Sequence, residues 1–202
     1  MIKKLVFLAV LFSATIAFTQ QNNTWVFSGE LGFRSNILKY TEGNQPNNET
    51  KQSRFVVRAG HVFTQNNFEI GTSFGYANYE ETSFFSVSTS TFITLTFAPY
   101  VKKYFIINNK FAFHLIGEIG YSKSYEDNSS VNNNLDIQEF GVVIRPGFVY
   151  FLTSNFALTS NLGSLGYIAT TSKYNSTNDT KNESFGFNFN GSNIMFGIAY
   201  YL

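Results

Sequence analysis

Glu30, Arg34, Arg54, Arg58, Glu69, Lys102, His114, Glu118, Glu139 and Arg145 share one property. Each stands in a run where apolar residues alternate with small or polar ones, and each falls on the small or polar parity. Carboxylates and guanidiniums brought to one side of a sheet can do two kinds of chemistry. They can pair as ions, or they can serve as the acids, bases and charge stabilisers of a reaction. Acids and bases are nearly balanced in this set, which favours pairing. Catalysis by a Ser/His/Asp-type set needs a positioned constellation with a nucleophile. His114 comes with no recognisable nucleophile motif and reads as a satisfied interior polar group. His61, the other of the two histidines, falls on the apolar parity near a turn. The histidines lack metal-ligand spacing, and Glu80-Glu81 and Glu126-Asp127 read as solvated loop charges rather than a cation site. Gly71, Gly75, Gly117 and Gly120 do not open a helix after a strand, so no phosphate-cradling loop is indicated. No cofactor is implied. A formal charge of +1 gives no electrostatic case for nucleic acid, and the absence of cysteine excludes disulfides and thiolate chemistry.

The elements that position these residues follow from the period. Side chains alternate faces along a strand, so a period of two divides each segment into two surfaces. The stretch from Arg145 to Tyr167 is the clearest instance. Before a turn at Thr153, Ser154 and Asn155, the residues Phe140, Val142, Ile144, Pro146, Phe148 and Tyr150 oppose Glu139, Gly141, Arg145 and Gly147. After it, Phe156, Leu158 and Leu162 oppose Ala157, Thr159, Asn161 and Gly163. Similar strands are expected at about Trp25–Ile37, Arg54–Phe63, Phe68–Ala77, Thr91–Tyr104 and Phe111–Ser122. Asn-rich turns at Gln65–Asn67 and Asn108–Asn109 join some of them. Polar loops at Lys39–Gln52, after Ala77, at Lys123–Asp136 and at Thr170–Ser184 join the others. In the last strand the apolar phase shifts from Phe185, Phe187 and Phe189 to Phe196, Ile198, Tyr200 and Leu202, which a β-bulge at Gly191 would explain.

Composition says what the apolar surface meets. Aromatics reach 18% while charged residues are only 13%, about half the usual share of a soluble domain. Residues 1–19 read as a signal peptide, with Lys3 and Lys4 before an apolar run from Leu5 to Ile16 and small residues around the cleavage point. That run is shorter than the roughly 18 apolar residues of a spanning helix. Residues 20–202 form the mature domain, with about eight strands and alternating short and long connections. That pattern is the mark of an all-β, eight-stranded antiparallel up-and-down transmembrane β-barrel with short periplasmic turns and longer extracellular loops. Closure is required because lipid cannot satisfy the polar backbone of an open sheet edge.

The repeated units Arg58–Tyr76, Ala98–Tyr121 and Arg145–Tyr167 carry a resemblance. Each leads with Arg or Pro, ends its first strand in an aromatic, turns and closes its second strand on Gly-Tyr. In this the chain resembles the small outer-membrane β-barrel family of Gram-negative bacteria, porin-like barrels of the OmpX/OmpA type and especially those of Bacteroidetes. The C-terminal Phe196, Ile198, Tyr200 and Leu202 are similar to the signal read by the barrel-assembly machinery, with Leu where Phe is commonest. The resemblance implies outer-membrane location, contact with outer-membrane lipid and with that machinery, and loops that offer a surface to an extracellular ligand. Barrels of this kind include enzymes, but the shared motifs specify geometry and not activity.

If the apolar parity faces lipid, Glu30, Arg34, Arg54, Arg58, Glu69, Lys102, Glu118, Glu139 and Arg145 face the lumen. An eight-stranded barrel is only just wide enough for side chains to fill it. The expectation is a salt-bridged plug in which Arg54, Arg58 and Arg145 bind Glu30, Glu69, Glu118 and Glu139, in a non-enzymatic protein passing at most very small solutes. The rival reading is an exported soluble lipocalin-like barrel holding a small apolar ligand, which needs its apolar parity inward.

Overall fold

The computed structural model describes residues 23–38, 48–83, 88–127, 135–174, 178–189 and 194–202. The expected signal peptide and the Gly191 bulge lie outside them. Ten strand segments are present: β1 (Asn23–Leu38), β2 (Asn48–Phe63), β3 (Phe68–Ser83), β4 (Ser88–Ile106), β5 (Phe111–Asp127), β6 (Leu135–Phe151), β7 (Phe156–Asn161), β8 (Ser164–Tyr174), β9 (Asn178–Asn188) and β10 (Met195–Tyr201). Consecutive segments β7 and β8 form one stave, and β9 and β10 another, so the wall has eight. Every pairing is antiparallel. The sheet runs β5-β4-β3-β2-β1-β10-β7-β6, closed by β5 against β6, with β8 continuing beside β6 and β9 beside β8.

The tight connections owe their form to side chains that replace backbone partners. Thr64–Asn66 makes a single 3₁₀ turn ending on Asn67, whose φ of 49° is the left-handed conformation that asparagine tolerates. Asn108 Oδ1 accepts from the N–H groups of Lys110 and Phe111, and Thr153 Oγ1 accepts from those of Asn155 and Phe156. Asn155 Nδ2 donates to the Tyr201 carbonyl at 2.8 Å and ties the third turn to the last strand. All three turns lie at the end of the barrel where β1 begins and β10 ends.

The stave break between β7 and β8 has a cause in β6. Proline lacks an N–H and within sheets is confined to edges and bulges. Gly147 pairs with Asn161 and Ile144 with Leu165, so three residues of one stave oppose Arg145 and Pro146 of the other. Leu162 N donates to the Pro146 carbonyl, and Gly163 takes a φ of 152° that disfavours any side chain.

The strands run further than the alternation suggests at the loop end. Asn48–Gln52, Asn78–Ser83, Lys123–Asp127 and Thr170–Tyr174 are strand where loop is expected. A backbone ladder needs only a partner, so polar residues with water on both faces can extend a hairpin beyond its apolar zone.

Outside, the apolar parity forms a continuous belt. Phe74 packs against Phe97 at 5.1 Å between ring centroids, and Leu115, Ile119, Val142, Ile144, Leu158 and Ile198 all stand exposed. Trp25 lies edge-on to His61, and Phe111 lies against Phe148, near the turn end. Inside, Val26, Val62, Tyr104, Val149, Ala157, Ala199 and Tyr201 form a small apolar core at that same end.

Candidate functional site: the polar lumen

Above this core, inward side chains build a charged layer. Arg58, from the middle of β2, lies 2.6 Å from Glu30 of β1 and 3.2 Å from Glu118 of β5. Arg145 of β6 donates from Nε to the other oxygen of Glu118 at 2.7 Å. Asn161 Nδ2 donates to Glu30 at 2.7 Å, while its Oδ1 lies 3.0 Å from His114 Nε2. The chain Arg145–Glu118–Arg58–Glu30–Asn161–His114 therefore spans the lumen. Each member comes from an inward position, and all but Arg145 are buried. Buried charges are tolerated when paired and hydrogen-bonded, and here each carboxylate has two partners.

A second cluster sits beside the first. Glu69 of β3 lies 3.2 Å from Lys102 of β4 and accepts hydrogen bonds from the Tyr100 and Tyr104 hydroxyls. Tyr104 reaches Tyr201 at 3.3 Å, which links the cluster to the apolar core. Lys102 also stands over the Tyr100 and Tyr104 rings, at 5.7 and 5.4 Å from their centroids.

Glycines make the room for these groups. A Cβ on Gly147 would lie 2.4 Å from His114 Nε2 and 2.2 Å from the Ser160 carbonyl oxygen. One on Gly60 would lie 2.5 Å from the Tyr100 hydroxyl and 2.8 Å from a Glu69 carboxylate oxygen.

Toward the loop end the lumen widens into a vestibule of about 290 Å³, lined by Gln52, Arg54, Thr94, Thr96, Ser122, Glu139 and Arg145 among others. Thr94 pairs with Ser124 at 2.7 Å and Thr96 with Ser122 at 2.9 Å across the β4–β5 ladder. Glu139 accepts from Thr170 at 3.2 Å. Arg34 is exposed at the rim, by a small recess that it shares with Gln52, Arg54 and Met195.

The nine residues expected in the ion network thus divide. Glu30, Arg58, Glu118 and Arg145 are joined, and Glu69 pairs with Lys102 rather than with an arginine. Among the described residues, Arg34, Arg54 and Glu139 form no salt bridge, because they stand where the lumen is wide. Tyr100, Tyr104, Tyr201 and Asn161 complete the layer and are absent from that expectation. Their inward parity was readable, but their engagement with Glu69 and Glu30 depends on which strands become neighbours. Phe196, Ile198, Tyr200 and Leu202 all stand exposed at the outer face of the C-terminal stave.

Chemically, the layer is a set of inward, mostly buried side chains joined by ion pairs and hydrogen bonds. His114 contacts the amide of Asn161, which is neither an acid nor a nucleophile, and its Nδ1 has no hydrogen-bond partner among the described residues.

Among solved structures, the chain is similar to a major outer membrane protein of Thermus thermophilus, at 9% identity over 90% of this chain and 100% of that one, with a TM-score of 0.51. It is similar also to Neisserial surface protein A, at 14% identity over 89% and 99% of the two chains and a TM-score of 0.49. A third is Ail, the attachment invasion locus protein of Yersinia pestis, at 13% identity over 91% and 100% and a TM-score of 0.44. At such identities the likeness speaks for the fold alone, and the Thermus comparison carries it. No protein-family model matches the chain, and neither does any curated protein. The fold is an eight-stranded outer-membrane β-barrel.

Proposed function

We propose that this protein is a non-enzymatic integral barrel of the outer membrane with a structural or interaction-mediating role. Its lumen passes at most very small solutes, and its extracellular loops are the surface for a ligand or partner. The observation that carries this reading is the engaged charged layer from Arg145 to His114, backed at the turn end by the apolar core around Val149 and Tyr201. A solute crossing would have to break buried ion pairs, and losing one partner of such a pair costs roughly 3 to 5 kcal/mol. The membrane location is supported by the apolar outer belt and by the fold. Lipid is then the partner of that belt, and the outward row Phe196, Ile198, Tyr200 and Leu202 is available to the barrel-assembly machinery. A soluble lipocalin-like carrier is not favoured, because the apolar parity points outward and the open part of the lumen is polar and charged.

Two measurements on the full chain test the proposal. It should fractionate with outer membranes and show the heat-dependent gel shift of a folded barrel, and in planar bilayers it should give no stepwise conductance. Recovery from the soluble periplasmic fraction without detergent would refute the membrane reading. Stable open-channel steps would refute the seal.

A further inference from the structure

The vestibule holds a cation with no direct ion-pair partner among the described residues. Among the described residues Arg54 makes no salt bridge or hydrogen bond, and the acids that share the vestibule with it, Glu118 and Glu139, face it only at longer range. Glu118 is held by Arg58 and Arg145, and Glu139 takes the Thr170 hydroxyl. Arg145 lines the same cavity, about a quarter exposed, with only its Nε committed to Glu118. Two guanidiniums and the Glu139 carboxylate, which pairs with no cation among the described residues, therefore face one half-enclosed space where charges are less screened than in bulk solvent, and the guanidiniums outnumber the free carboxylate. Arg34 adds a third at the rim, by the recess that it shares with Arg54.

We propose that this vestibule binds an oxyanion, a phosphate or carboxylate group carried by a small molecule, with Arg54 as its principal ligand and the free guanidinium edge of Arg145 as the second. An arginine presents its donors in a planar fork that fits two oxygens of such a group, and it stays charged at any physiological pH. The hydroxyls of Thr96 and Ser122 lie on the same wall, and whichever of them accepts in their mutual hydrogen bond keeps its own proton free to donate. At about 290 Å³ the space lies at the small end of ligand pockets and suits a compact solute or a single headgroup. Because the charged layer closes the floor, the site retains its ligand at the loop end. The assignment goes beyond the sealed-barrel reading and needs only a folded barrel.

The test is calorimetric titration of inorganic phosphate into the full chain folded in zwitterionic detergent, at fixed low ionic strength. One saturable site is expected, weakened roughly tenfold or more in Arg54→Gln and also in Arg54→Lys, which keeps the charge but loses the fork. Lys123→Ala, away from the vestibule, should bind as the parent does. A heat-dependent gel shift certifies that each variant is folded. Repeating the titration in bicelles with and without phosphatidylglycerol separates the sources of the anion. Competition by that lipid supports the site with a headgroup as its ligand, and unchanged binding supports it with a free solute. No saturable phosphate binding by the parent, or equal binding by folded Arg54→Gln, overturns the proposal.

Discussion

Arg58 decides more at the level of a single side chain than any other residue in the lumen, because it touches both carboxylates of the central chain. Arg58→Met should lower stability by roughly 3 to 5 kcal/mol, since Glu30 and Glu118 would stay buried with a partner missing. Urea unfolding in detergent, followed by the fluorescence of Trp25, measures it, and an unchanged midpoint would contradict the seal. Lys123 makes the opposite case. It pairs with Asp136 at 3.1 Å, but both side chains are about a third exposed, so Lys123→Ala should leave the same midpoint unmoved. Gly147→Ala sets a methyl against His114 and the Ser160 carbonyl and should cost about 1 to 3 kcal/mol by overpacking. Residues of the seal could be read from parity, because Glu30, Arg58 and Glu118 sit in strands whose other face is plainly apolar. Their partners could not. Alternation tells which way a side chain points but not its height in the barrel, and height separates the paired Arg58 from the unpaired Arg54 a few residues away on the same strand.

The same logic applies to elements. The strands were legible wherever one face had to be apolar, and their loop-end extensions were not, since Lys123–Asp127 and Thr170–Tyr174 are mostly polar on both parities and have little apolar alternation to display. The break between β7 and β8 was not legible: alternation makes Pro146 and Leu162 ordinary apolar-parity positions of regular strands, and only the register with Leu162 and Gly163 shows that this proline falls at a bulge. Two predictions belong here. Ile144→Arg places a charge on the lipid face of β6 and should cost about 2 to 4 kcal/mol if that position lies near the midplane, measured by urea unfolding in phospholipid vesicles. In a soluble carrier the same change at an exposed position would cost little. At the 3₁₀ turn, Asn67→Val forces a β-branched residue into left-handed backbone and should cost about 1 to 2 kcal/mol, whereas Asn67→Gly should be close to neutral.

At the scale of the molecule, the alternation of tight turns and long loops, the expected signal peptide and the wealth of aromatics pointed to one closed wall. How evenly that wall is closed needed the pairings. β1 is zipped to β2 along its whole length from Asn23 to Leu38, but to β10 only where Val26–Leu31 meets Phe196–Tyr201. Among the described residues the far edge of β9 is unpaired, so the first and last staves meet only in the turn-end half. This short seam joins the most distant parts of the sequence and carries the largest loop-closure cost of any pairing, which makes it the natural last step of assembly and the first to give way. The barrel is in effect a rolled sheet held by a latch at one end. Because the chain has no cysteine, the latch can be bolted alone. Phe27→Cys with Tyr200→Cys, at paired positions of the two staves, should slow detergent unfolding when oxidised and return to the parent rate when reduced. If the bolt changes nothing, the wall parts somewhere else.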